Sequence, residues 1–212
     1  MAHISSAIVA MVLSLSAGQA VAQPTPEVQK LFGQLTNGVM GQRAGARLKT
    51  LAQGSGETRK YLVLKLPELF ADPSQDPFTL DHAFRLAGDL KMVETMPALL
   101  KWFDRSGAFG SSTFTEVERL DNDPVAKALV NFGEPAIEPV RHFLENTNST
   151  RELRTRAASI LFNMNLKEAD QVLASQVAVE KDPELKLYIQ KRLAWPQGFR
   201  QDRVDKPQTK EK

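Results

Sequence analysis

From Pro26 to Trp195 the apolar positions recur at intervals of three and four, the spacing of one face of an α-helix. "VAKALVNF" (Val125 to Phe132), "LRTRAASILF" (Leu153 to Phe162) and "LKLYIQKRL" (Leu185 to Leu193) all follow it. No stretch reads convincingly as the alternation of a half-buried strand. Helix breakers fall at Gly54 to Gly56, Asp72 to Pro77, Ser106 to Ser112, Asp121 to Pro124, Glu134-Pro135, Thr147 to Thr150 and Asp182-Pro183. The segments between are mostly 10 to 16 residues long, so the pattern predicts an all-α chain of short helices.

These segments repeat. "ELRTRAASILFN" begins at Glu152 and "ELKLYIQKRLAW" at Glu184, 32 positions later, so Leu161 falls on Leu193. "ALVNFG" (Ala128 to Gly133) falls on "ILFNMN" (Ile160 to Asn165) at the same offset. "AIEPVRHFL" (Ala136 to Leu144) lies 33 before "ADQVLASQV" (Ala169 to Val177) and 41 after "TMPALLKWF" (Thr95 to Phe103). Repeats of this size mark stacked supersecondary units, here of uneven length, with the longer step absorbed by the insertion at Ser106 to Ser112. The unit is a first helix, a tight turn at Gly or Asn, and a second helix. Gly133 is expected in the left-handed conformation at the end of a first helix. Pro135 stands where a helical N–H would have no partner. Pro139 is expected to bend its helix from about one turn in. Asn165 replaces the turn glycine in the third unit and tolerates the same conformation. A fainter copy, "ETRKYLVLKL" (Glu57 to Leu66), matches the first helix of the later pairs. Leu99, Phe103, Val140, Leu144, Leu153, Ile160 and Leu161 are the expected core, with Ala157-Ala158 letting a neighbouring helix approach closely.

"ALVNFGEPAIEPVRHFL" followed by "ELRTRAASILFNM" resembles a HEAT-type repeat, with its Gly-x-x-Ala turn and small-residue first helix. "AFRLAGDLKMVETMPALLKWF" resembles the bilin-lyase-like variety of these armadillo-like repeats. The resemblance implies an α-solenoid of stacked antiparallel helix pairs over residues 78–196. Residues 23–77 would be degenerate repeats or a cap.

Before the helices, "MAHISSAIVAMVLSLSAGQAVAQ" has an apolar run from Ala7 to Leu15, then Ala20-Val21-Ala22. That is the pattern of a secretory leader, residues 1–22, cleaved after Ala22. Its n-region lacks Lys and Arg, which leaves an ordinary N-terminal helix or a misplaced start codon as the alternatives. The expectation is an exported protein of a bacterial periplasm, or a secreted one. The run is too short to span a bilayer. From Gln197 onward five Lys/Arg stand against three Asp/Glu, a surplus of two that equals the chain's net +2. The body is therefore neutral, which argues against a nucleic-acid partner. Residues 197–212 show no apolar period and read as a disordered tail.

Chemistry is sparse. There is no Cys, so disulfides, thiol nucleophiles and thiolate metal sites are excluded. His82 near the start of a helix reads as solvated or capping, and His142 as a surface residue. Some HEAT-type enzymes hold iron through His-Glu pairs, and this chain has no His-Glu dipeptide. "GSGET" (Gly54 to Thr58) lacks the ending of a phosphate loop and reads as a turn with a Ser cap. "DNDP" (Asp121 to Pro124) lacks calcium-loop spacing, so Asp123 reads as a helix cap, a device that Asp182-Pro183 repeats. Trp195 is expected to cover the last core layer. No catalytic residue, metal ligand or cofactor is expected.

The leading expectation is a non-enzymatic scaffold that binds a protein or peptide along its second helices. Aligning them puts Lys101, His142 and Ser175 at one equivalent site, with Leu100, Arg141 and Ala174 beside it and Asp104 and Glu145 one turn later. The strip reads as basic at its middle and acidic at its edge. The alternatives are a structural module of a larger envelope complex and, from the resemblance alone, a lyase-like handler of a tetrapyrrole cofactor.

Overall fold

Side-chain caps open most of the helices. In a computed structural model, which describes residues 24–72, 74–75, 80–104 and 122–195, the described residues form ten α-helices and no strand. They are α1 (Pro26–Gln34), α2 (Gly38–Gly54), α3 (Gly56–Ala71), α4 (Asp81–Asp89), α5 (Met96–Leu100), α6 (Pro124–Phe132), α7 (Ile137–Glu145), α8 (Arg151–Met164), α9 (Lys167–Val179) and α10 (Pro183–Leu193). Thr25, Asn37, Ser55, Asp123, Thr150 and Asp182 each accept a backbone N–H of the first turn they precede. Such a bond satisfies a donor that the helix itself cannot, and is worth about 1 kcal/mol. Pro26, Pro124 and Pro183 occupy the first turns of α1, α6 and α10, where a missing N–H costs nothing. The expected leader, the insertion around Ser106 to Ser112 and the tail from Gln197 lie outside the described residues.

Three turns reverse the chain within helix pairs, and each holds one residue at positive φ. Lys91 (φ 48°) lies between α4 and α5, Gly133 (φ 71°) between α6 and α7, and Asn165 (φ 53°) between α8 and α9. Asn165 is left-handed helical, as expected. Gly133 is not: its ψ of −135° puts it in a region open essentially to glycine alone. Lys91 is a surprise, because the nearby glycine, Gly88, is inside α4 instead. A Cβ on Gly88 would come within 2.6 Å of the Ala128 Cα, so the glycine serves the close approach of α4 to α6. Short 3₁₀ turns, Val93–Thr95 and Glu134–Ala136, lead into α5 and α7. The second turn delays the helix, so Pro139 falls in the first turn of α7 and displaces no helical hydrogen bond.

Packing follows from the apolar stripes. α4 packs between α2 and α6, and α8 between α6 and α10. α7 packs on α8 and α9, and α3 on α2 and α5. The "ETRKYLVLKL" segment therefore occupies the place of a second helix beside α5, and α2 takes the first-helix place that the sequence comparison gave it. Ala157, Ala158, Ile160, Leu161, Val140, Leu144, Leu99 and Phe103 are buried, while Leu153 is half-buried. Fully burying a residue such as Leu161 contributes about 1.5–3 kcal/mol. Trp102, just past α5, is also buried and donates its indole N–H to the Phe70 carbonyl at 2.8 Å. Phe84 lies against both rings, 4.7 Å from Phe70 and 5.8 Å from Trp102 between centroids. At the other end of the described chain Trp195 meets Phe162 edge-on and remains 39% exposed, so it shields the last layer only in part.

Candidate functional site

The strip of second-helix residues is carried by three successive segments. Lys101 and Asp104 are exposed in the turns that follow α5. His142 and Glu145 are exposed on α7, and Ser175 on α9. Their neighbours Leu99, Leu144 and Leu173 are fully buried, and helical spacing turns the strip residues away from them. Arg141 is half-buried on the α7 face.

Arg141 changes the electrostatics expected of the strip. Its Nε donates to Glu145 Oε1 at 2.7 Å and its Nη1 to Glu138 Oε1 at 3.3 Å. The hydrogen bond to the Glu145 carboxylate, with the charges of Glu145 and Glu138, raises the guanidinium pKa above its ordinary value. One cation is shared between two anions, so the exposed face of α7 is net acidic. The strip is not basic at its middle.

α5 and α7 are joined beneath the strip. The Phe103 ring stacks on Phe143 with centroids 3.9 Å apart and planes 22° from parallel. Arg156, from α8, lies with its guanidinium carbon 4.8 Å from the Phe103 centroid and donates Nη1 to the Phe103 carbonyl. Its Nε and Nη2 each reach Asp123 at 2.6 Å. Asp123 is thus a cap, as expected, and also half of an ion pair whose side chains are only 10% and 14% exposed. The pair joins positions 33 apart in the chain, and no local spacing signals it.

A second buried network closes the junction of α7, α8 and α9. Arg154 donates Nε to the Leu144 carbonyl at 2.8 Å and Nη1 to Glu180 Oε1 at 3.2 Å, and its Nη2 reaches Glu180 Oε2. Glu180 also accepts from Gln176 Nε2 at 2.6 Å and from the N–H groups of Lys181 and Asp182. Burial alone would raise the Glu180 pKa. The Asp182 N–H, Gln176 and Arg154 outweigh it and hold the carboxyl below its ordinary value. Each guanidinium nitrogen of Arg154 and both carboxylate oxygens of Glu180 have a partner, so the network ties α7, α8 and the end of α9 together.

His82 is neither solvated nor a cap. α4 has Leu80 before it with no side-chain cap, and the half-buried His82 ring packs against Gly41 of α2, so closely that no Cβ would fit there. Its Nδ1 lies 3.5 Å from Asp81 Oδ2. Among the described residues no three His, Cys, Asp or Glu side chains group as a metal site, and no helix is long and apolar enough to cross a membrane. No protein-family model, curated protein or solved structure matches the chain.

Proposed function

We propose that the protein is an exported, non-enzymatic helical-repeat scaffold of the HEAT kind. Its second helices would hold an extended peptide or a helix of a partner protein along the strip of Lys101, Asp104, Arg141, His142, Glu145 and Ser175. One observation carries this reading, the order of packing. First helices meet first helices from α2 through α4, α6 and α8 to α10, while α3 meets α5 and α7 meets α9 among the second helices. Units arranged in that order contact only their neighbours and leave a continuous side on which solenoids bind partners. The exposed, mixed charges of the strip suit a polar partner segment better than a polyanion.

The test is a charge reversal, Lys101→Glu with Arg141→Glu, in affinity capture of the exported chain from its own cells. Neither residue is core, so the far-ultraviolet dichroism and the melting profile should be retained. Recovery of specific partners, quantified by mass spectrometry, should fall by more than about tenfold. A folded double variant that recovers its partners as the parent does would show that the strip is not the site.

A further inference from the structure

We infer that Arg156, which stands outside the strip, is the residue that positions its two halves; the inference rests on the reading of the strip as the binding side. Lys101 and Asp104 flank Trp102 and Phe103, and His142 and Glu145 flank Phe143 and Leu144. Among the described residues the side of the molecule that carries these two segments is joined by the Phe103–Phe143 stack. Arg156 fixes that stack from below. Its guanidinium faces the Phe103 ring and holds the Phe103 carbonyl, and two bonds to Asp123 hold the guanidinium itself in place.

The planar fork of arginine suits this task. One edge binds the carboxylate bidentately, a further N–H reaches a carbonyl, and the face lies against the ring. Lysine can keep the charge but not these three contacts together. The contrast with Arg154 is informative, because Arg154 ties the Leu144 carbonyl of α7 to Glu180 just after α9, and so joins the α7 and α9 parts of the strip to each other rather than to the segment after α5. Arg156 links the segment after α5, the residue that caps α6 and the body of α8. Arg156 therefore sets the spacing between Lys101 and Asp104 on one side and His142, Glu145 and Ser175 on the other. A partner that bridges both halves depends on it without touching it.

The chain has no native Cys, so spin labels can be placed at Lys101→Cys and Ser175→Cys alone. Two interaxial steps of about 8–10 Å each separate these sites, a distance that dipolar spectroscopy measures once the labels are added. Arg156→Ala and Arg156→Lys should both lengthen and broaden the distance distribution. Val28→Ala, which empties a buried site in α1, a helix that packs on α2, serves as a variant destabilised elsewhere and should leave it unchanged. Arg156→Lys keeps the charge and covers the case in which Arg156→Ala does not fold. If both Arg156 variants lose only thermal stability, or if Val28→Ala broadens the distribution equally, the positioning role falls. If the distances move as stated while Lys101→Glu with Arg141→Glu still recovers wild-type partners, the positioning stands and the strip is not the binding side.

Discussion

Arg154 and Arg141 lie on adjacent helices and both meet glutamates, yet their surroundings make them opposites. Arg154 and Glu180 have side chains 8% and 3% exposed, and every polar atom between them is engaged by a backbone or side-chain partner. Arg141 shares two glutamates at the surface, with water on the open side of all three. In the first region the charges are committed to the fold, because leaving either one without its partner would strand an ion in a poorly solvated site. In the second, water and salt already screen the pairs, so the charges remain available for recognition. The helix pairs thus separate two uses of the same side chains: buried ion pairs fix how pairs stack, and exposed ones decorate the side that could meet a partner.

Removing one partner of the buried pair should have the largest effect. Glu180→Ala should cost about 3–5 kcal/mol in chemical denaturation, because Arg154 would lose its counter-ion while still held inside. Replacing both, Arg154→Met with Glu180→Met, should cost less than Glu180→Ala alone, since no uncompensated charge remains. If the double variant were the worse of the two, the pair would be contributing net stability rather than avoiding a penalty. Leu161→Ala gives the apolar yardstick in the same helix, at about 2–5 kcal/mol. Lys101→Ala, exposed on the strip, should stay within about 0.5 kcal/mol. Equal costs for these last two would mean that the helix faces have been wrongly assigned.

A smaller effect should appear on acidification. Glu180 has a folded pKa below its unfolded value, so the folded protein holds the proton less tightly than the unfolded chain. Its contribution is fully present above the unfolded value, and it is lost as pH falls through the lower folded one. Unfolding midpoints measured from neutral pH down through the carboxylate range should therefore fall more steeply for the parent than for Glu180→Gln. A glutamine cannot titrate, and the slope difference isolates this one carboxyl from the other acids. Parallel slopes would show that Glu180 does not hold its charge in the way that its five donors imply.

Much of the fold was legible in the sequence because it is encoded locally. Asp123-Pro124 and Asp182-Pro183 start helices where read, Gly133 and Asn165 reverse the chain where read, and the offsets of 32 and 33 pair the right segments from α6 to α10. The failures are of two kinds. Lys91 takes a positive φ although Gly88 lies three residues earlier, because α4 needs that glycine for its contact with Ala128. A tertiary demand removed the residue that local preference would have placed in the turn. The same holds for α3, whose apolar spacing alone cannot say which row a helix joins. The pairs Arg154–Glu180 and Arg156–Asp123 span 26 and 33 residues, and no periodicity brings such partners together. In the strip itself the signal is local: Glu138 and Glu145 stand three before and four after Arg141, the spacing of helical ion pairs.

That spacing yields the smallest and most specific expectation. Arg141→Ala deletes a cation that two exposed carboxylates share, yet it should leave the denaturation midpoint within error of the parent. Two opposing changes account for this. The favourable contacts to Glu138 and Glu145 are lost, but both carboxylates regain full hydration, and the long side chain regains rotamers it had given up. The two glutamates are seven positions apart, about two helical turns, so their mutual repulsion across water is weak. Raising the salt should compress even this small difference, because the surface pairs are screened while the Arg154–Glu180 pair is not. Thermal melts of Arg141→Ala and Glu180→Ala at low and high ionic strength put the two regions side by side. The first variant should track the parent at both salts, and the second should fall far below it at both. A large, salt-resistant loss in Arg141→Ala would mean that the α7 surface is buried against something in the folded protein, and that its charges are not free to meet a partner.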